Sequence, residues 1–227
     1  MVDENSNYPK GDGKDPRTLE EQKTVGDRRF SPSVSRNRAI LKEAFLDVVC
    51  GSTSVLEIGS GTGEHGVYIT ESDPQISWTF SDANKESLKG IAAWIAHAER
   101  SNLVGPVLLD ASKSDWGSDI ESQSFDVIFS ANVVHIAPMY VLEGLIAGAG
   151  RLLAQAGKLI FYGPFSRNGL MVQSNHAFDA DLKRRDARWG VRDVERDLVP
   201  IAARAGMKLT FPANMPKNNY FLVFERL

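Results

Sequence analysis

The fold is decided by one stretch, Val55-Leu56-Glu57-Ile58-Gly59-Ser60-Gly61-Thr62-Gly63. An apolar run over residues 54–58 is typical of a short buried strand, and residues 64–70 have the pattern of the first turns of a helix. Glycines between them allow the backbone to bend sharply, and the start of the helix presents N–H groups that lack an intrahelical partner. The stretch therefore predicts a nucleotide-like ligand at the carboxyl end of the strand. A glycine turn needed only for tight packing is the alternative.

Strand-like and helix-like stretches alternate along the chain. Strands are predicted at 54–58, 76–80, 104–109, 125–130 and 158–162, and helices at 38–49, 64–70, 86–99, 140–153 and 193–205. Two late strands, 207–211 and 220–224, are separated by a loop with Pro and Asn, which is typical of an antiparallel hairpin. We therefore predict an α/β fold: a doubly wound, seven-stranded, mostly parallel sheet with an antiparallel C-terminal hairpin.

Length and composition favour one domain. The chain has 227 residues, of which 42% are hydrophobic, enough to bury a sizeable core. Residues 1–27 are rich in charge, Gly and Pro without apolar periodicity, and we expect a flexible leader there. Residues 28–227 are expected to form a single domain.

Charge and residue types argue against several kinds of partner. The formal net charge of −3 provides no basic field, so nucleic acid is not expected to bind. No stretch approaches the roughly 20 consecutive apolar residues of a membrane-spanning helix, and the polar N-terminus lacks a signal-peptide core, so we expect a cytoplasmic protein without a membrane partner. One cysteine and four dispersed histidines show no metal-ligand spacing, so no metal is expected. The oligomeric state stays open.

The glycine turn fits two registers. Residues 61–66 match the dinucleotide pattern G-x-G-x-x-G, which makes a nicotinamide-dependent oxidoreductase one alternative. In that register the strand has to run on through Gly59 and Ser60, and no Tyr-x-x-x-Lys pair occurs in the chain. Counting from Gly59 instead places an acid, Glu57, two positions before the first glycine. That arrangement resembles motif I of class I methyltransferases.

This resemblance implies S-adenosylmethionine (SAM) as the cofactor and assigns residues to it. The turn residues that it implies against the methionine part of SAM are Glu57, Gly59, Ser60, Gly61 and Gly63. Asp82, 23 residues after Gly59, matches the acid that binds the ribose hydroxyls, with a helix-capping role as the alternative. Asp110 matches the acid that accepts from the adenine amino group, with a turn role as the alternative.

Several separate segments carry a more specific similarity. They are Phe30-Ser31-Pro32, Arg36-Asn37-Arg38, Glu57–Glu64, Ala131–Pro138, Tyr162–Phe165, Ser174-Asn175, Ala177-Phe178-Asp179 and Trp189–Asp193. Together they resemble a family of uncharacterised methyltransferase-like proteins, formerly a domain of unknown function, over most of residues 29–224. The family implies SAM binding and methyl transfer but no substrate.

Side chains that follow the fourth and fifth strands of this alternation are candidates for the chemistry. Asn132 and His135 are expected at the sheet edge where the methyl donor sits, with Tyr162 near the same mouth. His135, with a pKa near working pH, either removes a proton from the acceptor or shapes its loop, and Asn132 orients the acceptor. Arg29 and Asn37 either close over SAM as a lid or make ordinary surface contacts.

The segment after the fifth strand supplies the last candidates. Asn175, His176 and Asp179 either line an acceptor pocket or serve as helix caps and solvated residues. The sequence thus favours a SAM-dependent methyltransferase acting on an unidentified small molecule. A SAM-binding protein without catalysis, acting as a sensor or partner subunit, is the alternative.

Overall fold

The computed structural model describes residues 19–227, and residues 1–18, most of the predicted leader, lie outside the described residues. The strands are β1 (Lys23–Val25), β2 (Arg28–Phe30), β3 (Thr53–Ile58), β4 (Ile76–Asp82), β5 (Leu103–Leu108), β6 (Phe125–Ala131), β7 (Leu153–Ser166), β8 (Arg192–Asp193), β9 (Met207–Met215) and β10 (Asn219–Arg226). The helices are α1 (Pro32–Val48), α2 (Glu64–Ile69), α3 (Lys85–Ala98), α4 (Ser118–Glu121), α5 (Met139–Leu152), α6 (Gln173–Arg185) and α7 (Val199–Arg204). Short 3₁₀ turns cover Thr70–Ser72, Val134–Ile136 and Pro216–Asn218, and a π-helical turn covers Val194–Leu198.

The main sheet has the strand order β5-β4-β3-β6-β7-β10-β9, with the short β8 beside the end of β7. The pairs from β5 through β7 are parallel, and β10 runs antiparallel to both β7 and β9. The predicted fold class is thereby confirmed. After β3 the next strands, β4 and β5, are added on one side of it, whereas β6 and β7 are added on the other side. The switch point where such sheets bind ligands therefore lies between β3 and β6.

A hydrophobic core covers each face of the sheet. On one face α1 and α3 pack over an aromatic cluster in which the rings of Phe45 and Trp78 lie 5.4 Å apart and those of Trp78 and Phe129 lie 5.5 Å apart. On the other face α5 and α7 cover strand residues such as Ile128 and Phe161. Both faces are buried because the strands are almost continuously apolar, as parallel strands between two helical layers are. Within residues 19–227, no helix is long and apolar enough to cross a bilayer.

The N-terminal part of the described chain differs from the sequence prediction. Residues 23–25, assigned to the leader, form β1, which pairs with β2 across the Gly26-Asp27 turn. Its strand residues are exposed and lack periodicity, so the sequence gives no strand signal. Contacts with a part of the chain far away in sequence hold the hairpin instead. The Phe30 ring packs edge-on against Trp94 of α3 with centroids 4.9 Å apart, and Trp94 Nε1 donates to the Arg29 carbonyl at 2.9 Å.

Two helices also differ from the sequence prediction. Helix α1 begins at Pro32 instead of residue 38, because Pro at the first helical position follows the N-cap Ser31 while the first turns are polar. The segment described from its sequence as irregular contains the 13-residue helix α6. Its composition is polar, and the two buried residues Asn175 and Leu182 are too few to give a clear helical period.

Candidate functional site

A cavity of about 610 Å³ opens at the carboxyl edge of the sheet, at the switch point between β3 and β6. Four of its lining residues stand where parallel strands end: Gly59 after β3, Asp82 at the end of β4, Leu109 after β5 and Asn132 after β6. Parallel strands bring their carboxyl ends to one edge, so four positions far apart in sequence meet around one space.

The glycine turn brings bare backbone to this cavity. Gly59 has φ +74° and Gly61 has φ +58°, in the left-handed region that favours glycine. A Cβ on Gly59 would lie 2.6 Å from the Val133 side chain, whereas a Cβ on Gly61 would meet no atom within 4 Å. The Gly59 and Ser60 N–H groups donate to the Ser81 carbonyl at 3.0 and 2.8 Å, which ties the turn to β4. The Gly61 backbone is therefore held rigidly and open for a ligand to approach.

Asp82 joins this turn to the end of β4. Its Oδ2 accepts from the Gly61 N–H at 2.9 Å and its Oδ1 from the Asn84 N–H at 2.8 Å. The cap of α3 is Asn84, whose Oδ1 accepts from the Glu86 N–H at 2.9 Å. An ionised carboxylate offers about four acceptor positions, so these bonds are compatible with ribose hydroxyls as further donors. The buried Asp82 carboxylate thus lines the cavity without capping the helix.

Asp110 makes the turn contacts considered as its alternative role, and it also lies in the cavity wall. Its Oδ1 accepts from the Ser112 N–H at 3.0 Å and the Ser112 hydroxyl at 2.7 Å, which is a turn role. It also lines the cavity beside Leu109. The turn bonds fix the position of the carboxylate at the cavity wall.

Four of the residues assigned to the site from the sequence do not line the cavity: Glu57, Gly63, Asn37 and Tyr162. Glu57 lies inside β3, where side chains point into the protein layers, and its Oε2 accepts from Trp78 Nε1 at 3.0 Å. Burial raises the pKa of Glu57 to about 7. Gly63 has already turned away into α2, and its N–H donates to the Ser60 carbonyl at 2.8 Å. Both residues support the turn from behind.

Asn37 and Tyr162 belong to a hydrogen-bond network with His65 and Asn219, two residues that do line the cavity. Asn37 Oδ1 lies 2.9 Å from His65 Nε2, and its side chain also bonds Tyr162. Asn219 Nδ2 donates to the Tyr162 hydroxyl at 3.2 Å. Burial lowers the pKa of His65 to about 4 and raises that of Tyr162. The network joins α1, α2, β7 and β10, so Asn37 anchors α1. Arg29, the other residue considered as a lid, does line the cavity.

His135 lies at the other end of the cavity, in the 3₁₀ turn after β6. Its ring lies edge-on to Phe178 of α6, with centroids 5.4 Å apart. Within residues 19–227 its Nδ1 is shielded and has no partner, and a Cβ on Gly163 would lie 3.6 Å from it, which leaves Nε2 as the nitrogen available to the cavity that the residue lines. Burial, aided by Arg192, lowers the pKa of His135 to about 3. The expectation of a pKa near working pH is wrong, because this ring is taken out of water.

The turn that carries His135 is held by Arg192, which sequence reasoning missed. The Arg192 guanidinium donates to the carbonyls of Val134 at 3.2 Å and Ala137 at 2.5 Å. The Gly190 N–H donates to the His135 carbonyl at 3.0 Å. Arg192 falls within Trp189–Asp193, a segment of the family resemblance, and this was the only signal in the sequence for its role.

The remaining residues of this end come from α6 and the segment after it. Asn132, Asn175, Phe178 and Trp189 line the cavity, and Asn132 is fixed by a bond from its N–H to the Tyr162 carbonyl at 2.8 Å. Asn175 Nδ2 donates to the Asn218 carbonyl at 3.1 Å, so its side chain ties α6 to the β9–β10 turn. His176 and Asp179 are not among the lining residues. Among residues 19–227, no cluster of His, Cys, Asp and Glu has the arrangement of a metal site.

A second residue missed from the sequence is Glu64, the first residue of α2. Its Oε2 accepts from the Ser31 N–H at 2.6 Å and from the Thr62 hydroxyl at 2.9 Å. Burial raises the pKa of Glu64. The carboxylate fastens the start of α1 to the glycine turn, which is why Ser31 and Ser33 reach the cavity wall.

Comparisons with known proteins agree with this geometry. A family model described as "Protein of unknown function (DUF938)" matches residues 28–226. The lovastatin nonaketide synthase polyketide component of Aspergillus terreus is 30% identical over 112 residues, which cover 48% of this chain and 4% of that protein. The chain therefore matches only a small part of that curated relative.

Solved structures with a similar fold include methyltransferases. An O-methyltransferase family protein from Burkholderia thailandensis has a TM-score of 0.70 at 14% identity, covering 86% of this chain and 56% of the other. CalO1, a methyltransferase in calicheamicin biosynthesis solved with S-adenosylhomocysteine (SAH), has a TM-score of 0.65 at 15% identity, covering 86% and 54%. At these identities the likeness establishes the class I methyltransferase fold.

Proposed function

We propose that this chain, which belongs to the DUF938 family of proteins of unknown function, is a SAM-dependent methyltransferase acting on a small molecule. One observation carries the proposal: the open Gly61 backbone and the Asp82 carboxylate meet at the switch point of the sheet, joined by a 2.9 Å hydrogen bond. The methyltransferase fold of the structural neighbours supports the same function.

The residues at this end fit SAM. The space in front of Gly61 admits a ligand against the backbone, and we assign Gly59, Ser60 and Gly61 to the methionine part. Asp82 is assigned to the ribose hydroxyls and Asp110 to the adenine amino group, because ionised carboxylates accept from both kinds of donor. SAM would supply a methyl group bonded to a positively charged sulfur.

The contribution of the protein to methyl transfer is alignment, exclusion of water and acceptance of a proton. Asn132, held by its backbone bond to β7, orients the acceptor, and the neutral His135 ring accepts a hydrogen bond from it at Nε2. A depressed pKa does not prevent this role. An acceptor oxygen becomes strongly acidic as its bond to the methyl carbon forms, so a weak base suffices to take its proton.

Isothermal titration calorimetry with SAM, SAH and NAD tests this function. We expect SAM and SAH to bind at one site and NAD to give no heat, because the turn has the methyltransferase register. Binding of NAD without SAM would overturn the proposal. Binding of SAM with no methyl transfer to any small molecule of a broad panel would instead favour a non-catalytic SAM-binding protein.

A further inference from the structure

The end of the cavity beyond His135 is walled by aromatic rings. His135, Phe178 and Trp189 come from three separate elements and line the same space. The His135 and Phe178 rings are inclined at 64°, and Trp189 is held beside them because the next residue, Gly190, donates its N–H to the His135 carbonyl at 3.0 Å. Walls of this kind suit a flat apolar ligand, since aromatic rings pack best in edge-on or offset arrangements.

Trp189 carries an unused hydrogen-bond donor. The residue is 2% exposed, and within residues 19–227 its Nε1 is shielded and has no partner. A buried N–H without a partner costs about 1–3 kcal/mol, and such groups are rare in folded proteins. Trp189 lines the cavity, so a ligand oxygen that enters from there and displaces the atoms shielding the indole N–H would satisfy this donor.

The charges at this end lie at the solvent-exposed rim. Arg185 pairs with Asp181 at 3.0 Å, and Lys217 is exposed on the β9–β10 turn. Exposed charges are screened and contribute little to binding. The buried part of the wall includes the Trp189 indole, the His135 imidazole and the Asn175 amide, all uncharged, which favours an uncharged ligand.

We propose, resting on the proposed function, that this end binds a neutral planar hydroxyarene as the methyl acceptor. One hydroxyl donates to His135 Nε2, and a second oxygen accepts from Trp189 Nε1. In the reaction the hydroxyl oxygen forms a bond to the methyl carbon of SAM, and the carbon–sulfur bond breaks with its electron pair returning to sulfur. The hydroxyl proton passes to His135 Nε2 and then to solvent, which leaves an aryl methyl ether and SAH.

A matched pair of probes tests this site. Catechol and trans-cyclohexane-1,2-diol both carry two neighbouring hydroxyls, and only catechol has a planar ring. Each is titrated into the SAH-saturated protein by ligand-observed NMR. We expect catechol to bind at concentrations where the cyclohexane diol does not. Equal binding of the two, or binding of neither, overturns the proposal.

Matched variants locate the site. Trp189→Phe removes the N–H and should weaken catechol binding about 2- to 10-fold, the range for one hydrogen bond. Trp116→Phe is the control. Within the described residues, Trp116 Nε1 is also buried and has no partner. Trp116 differs from Trp189 in packing over Gly148 of α5, and it does not line the cavity. Unchanged affinity in Trp189→Phe, or an equal loss in Trp116→Phe, overturns the assignment. If Trp189→Phe does not fold, Phe178→Leu should weaken catechol through loss of the ring wall, and full affinity there overturns the proposal.

The two levels of the proposal fail differently. If SAH itself does not bind in calorimetry, the proposed function is wrong. If SAH binds and the probes show no preference for the planar ring, only the acceptor class is wrong.

Discussion

The two ends of the cavity are built in different ways. The end assigned to the cofactor consists of the contiguous turn from Gly59 to Gly61 and of Asp82, with the contacts made mainly by backbone. The end assigned to the acceptor consists of side chains from β6, α6 and the segment before β8. Backbone geometry repeats across many proteins, whereas a particular set of side chains belongs to one family. We therefore expect the first end to bind the cofactor and the second to select the substrate.

The largest expected effect concerns Arg192, which holds the acceptor end together. Arg192→Met removes the donors to the carbonyls of Val134 and Ala137, and each buried carbonyl left unpaired costs about 1–3 kcal/mol. We expect a loss of about 3 kcal/mol in the free energy of unfolding, measured with urea. SAH affinity should stay near normal in the variant that remains folded at low temperature. An equal loss of SAH affinity would contradict the separation of the two ends.

Arg192→Lys distinguishes the effect of Arg192 on the position of His135 from its effect on the stability of the fold. Lysine keeps the charge but lacks the planar fork that reaches two carbonyls at once. Stability should recover in part, while methyl transfer stays impaired through kcat because His135 is displaced. Full recovery of kcat with the charge alone would assign Arg192 to stability only.

The next effect concerns His135 itself. His135→Ala should lower methyl transfer by about 100-fold or more, the usual scale for positioned proton transfer, with SAH affinity near normal. Raising the pH should restore part of the rate by ionising the acceptor. His97→Ala, in the last turn of α3 and outside the cavity lining, serves as the control. A His135→Ala variant with full turnover would leave the residue with a structural role.

Asp82 gives the matching effect at the cofactor end. Asp82→Ala should weaken SAH by about 1.5–3 kcal/mol, since hydrogen bonds to a charged group are lost, as measured by calorimetry. Asp73→Ala is the control, because Asp73 precedes β4 at the opposite edge of the sheet and its Oδ1 accepts a local bond from the Gln75 N–H at 3.1 Å. Equal SAH affinity in the two variants would remove Asp82 from the site.

The smallest effect is the pH dependence of stability, in which two buried histidines and a buried glutamate act in opposite directions. His65 and His135 have pKa values lowered to about 4 and about 3, so between pH 6.5 and 4.5 the unfolded chain binds two protons that the folded chain does not. Glu57, with a pKa raised to about 7, binds one proton in the folded state that it lacks when unfolded. The two histidines outweigh Glu57 by about one proton, and the smaller rise in the pKa of Glu64 opposes them further, so the free energy of unfolding should fall by up to about 1 kcal/mol per pH unit as the pH drops through this window.

Urea unfolding at pH 7, 6 and 5 measures this slope. Glu57→Gln removes the opposing proton and should steepen the fall to about twice that value. Stability that rises on acidification of the unmodified protein would contradict the burial of the two histidines.

Much of the fold follows from the sequence because periodicity reports burial directly. The strands β3, β4 and β6 were predicted to within two residues at each end, since their runs are almost entirely apolar. Helix α6 and the hairpin β1–β2 were missed because few of their side chains are buried, and contacts such as that of Phe30 with Trp94 hold them from far away in the chain.

The site was predictable where one motif builds it. Gly59, Gly61 and Asp82 do line the cavity, because the spacing of a glycine turn and of an acid at the end of the next strand brings both to the same edge of the sheet. Glu57 was placed in the site by the same motif, and its true environment required knowing that β3 buries its side chain against Trp78. Arg192 could not be found by spacing, since its role depends on packing against a turn 55 to 58 residues earlier in the chain.

A crystal structure of the protein with SAH tests the central claim most directly, because it shows both ends at once. The account predicts the ribose hydroxyls within hydrogen-bond distance of Asp82, the methionine part along Gly59 to Gly61, and the sulfur facing the space between Asn132 and His135. SAH bound elsewhere, or bound with its sulfur directed away from His135, would contradict it.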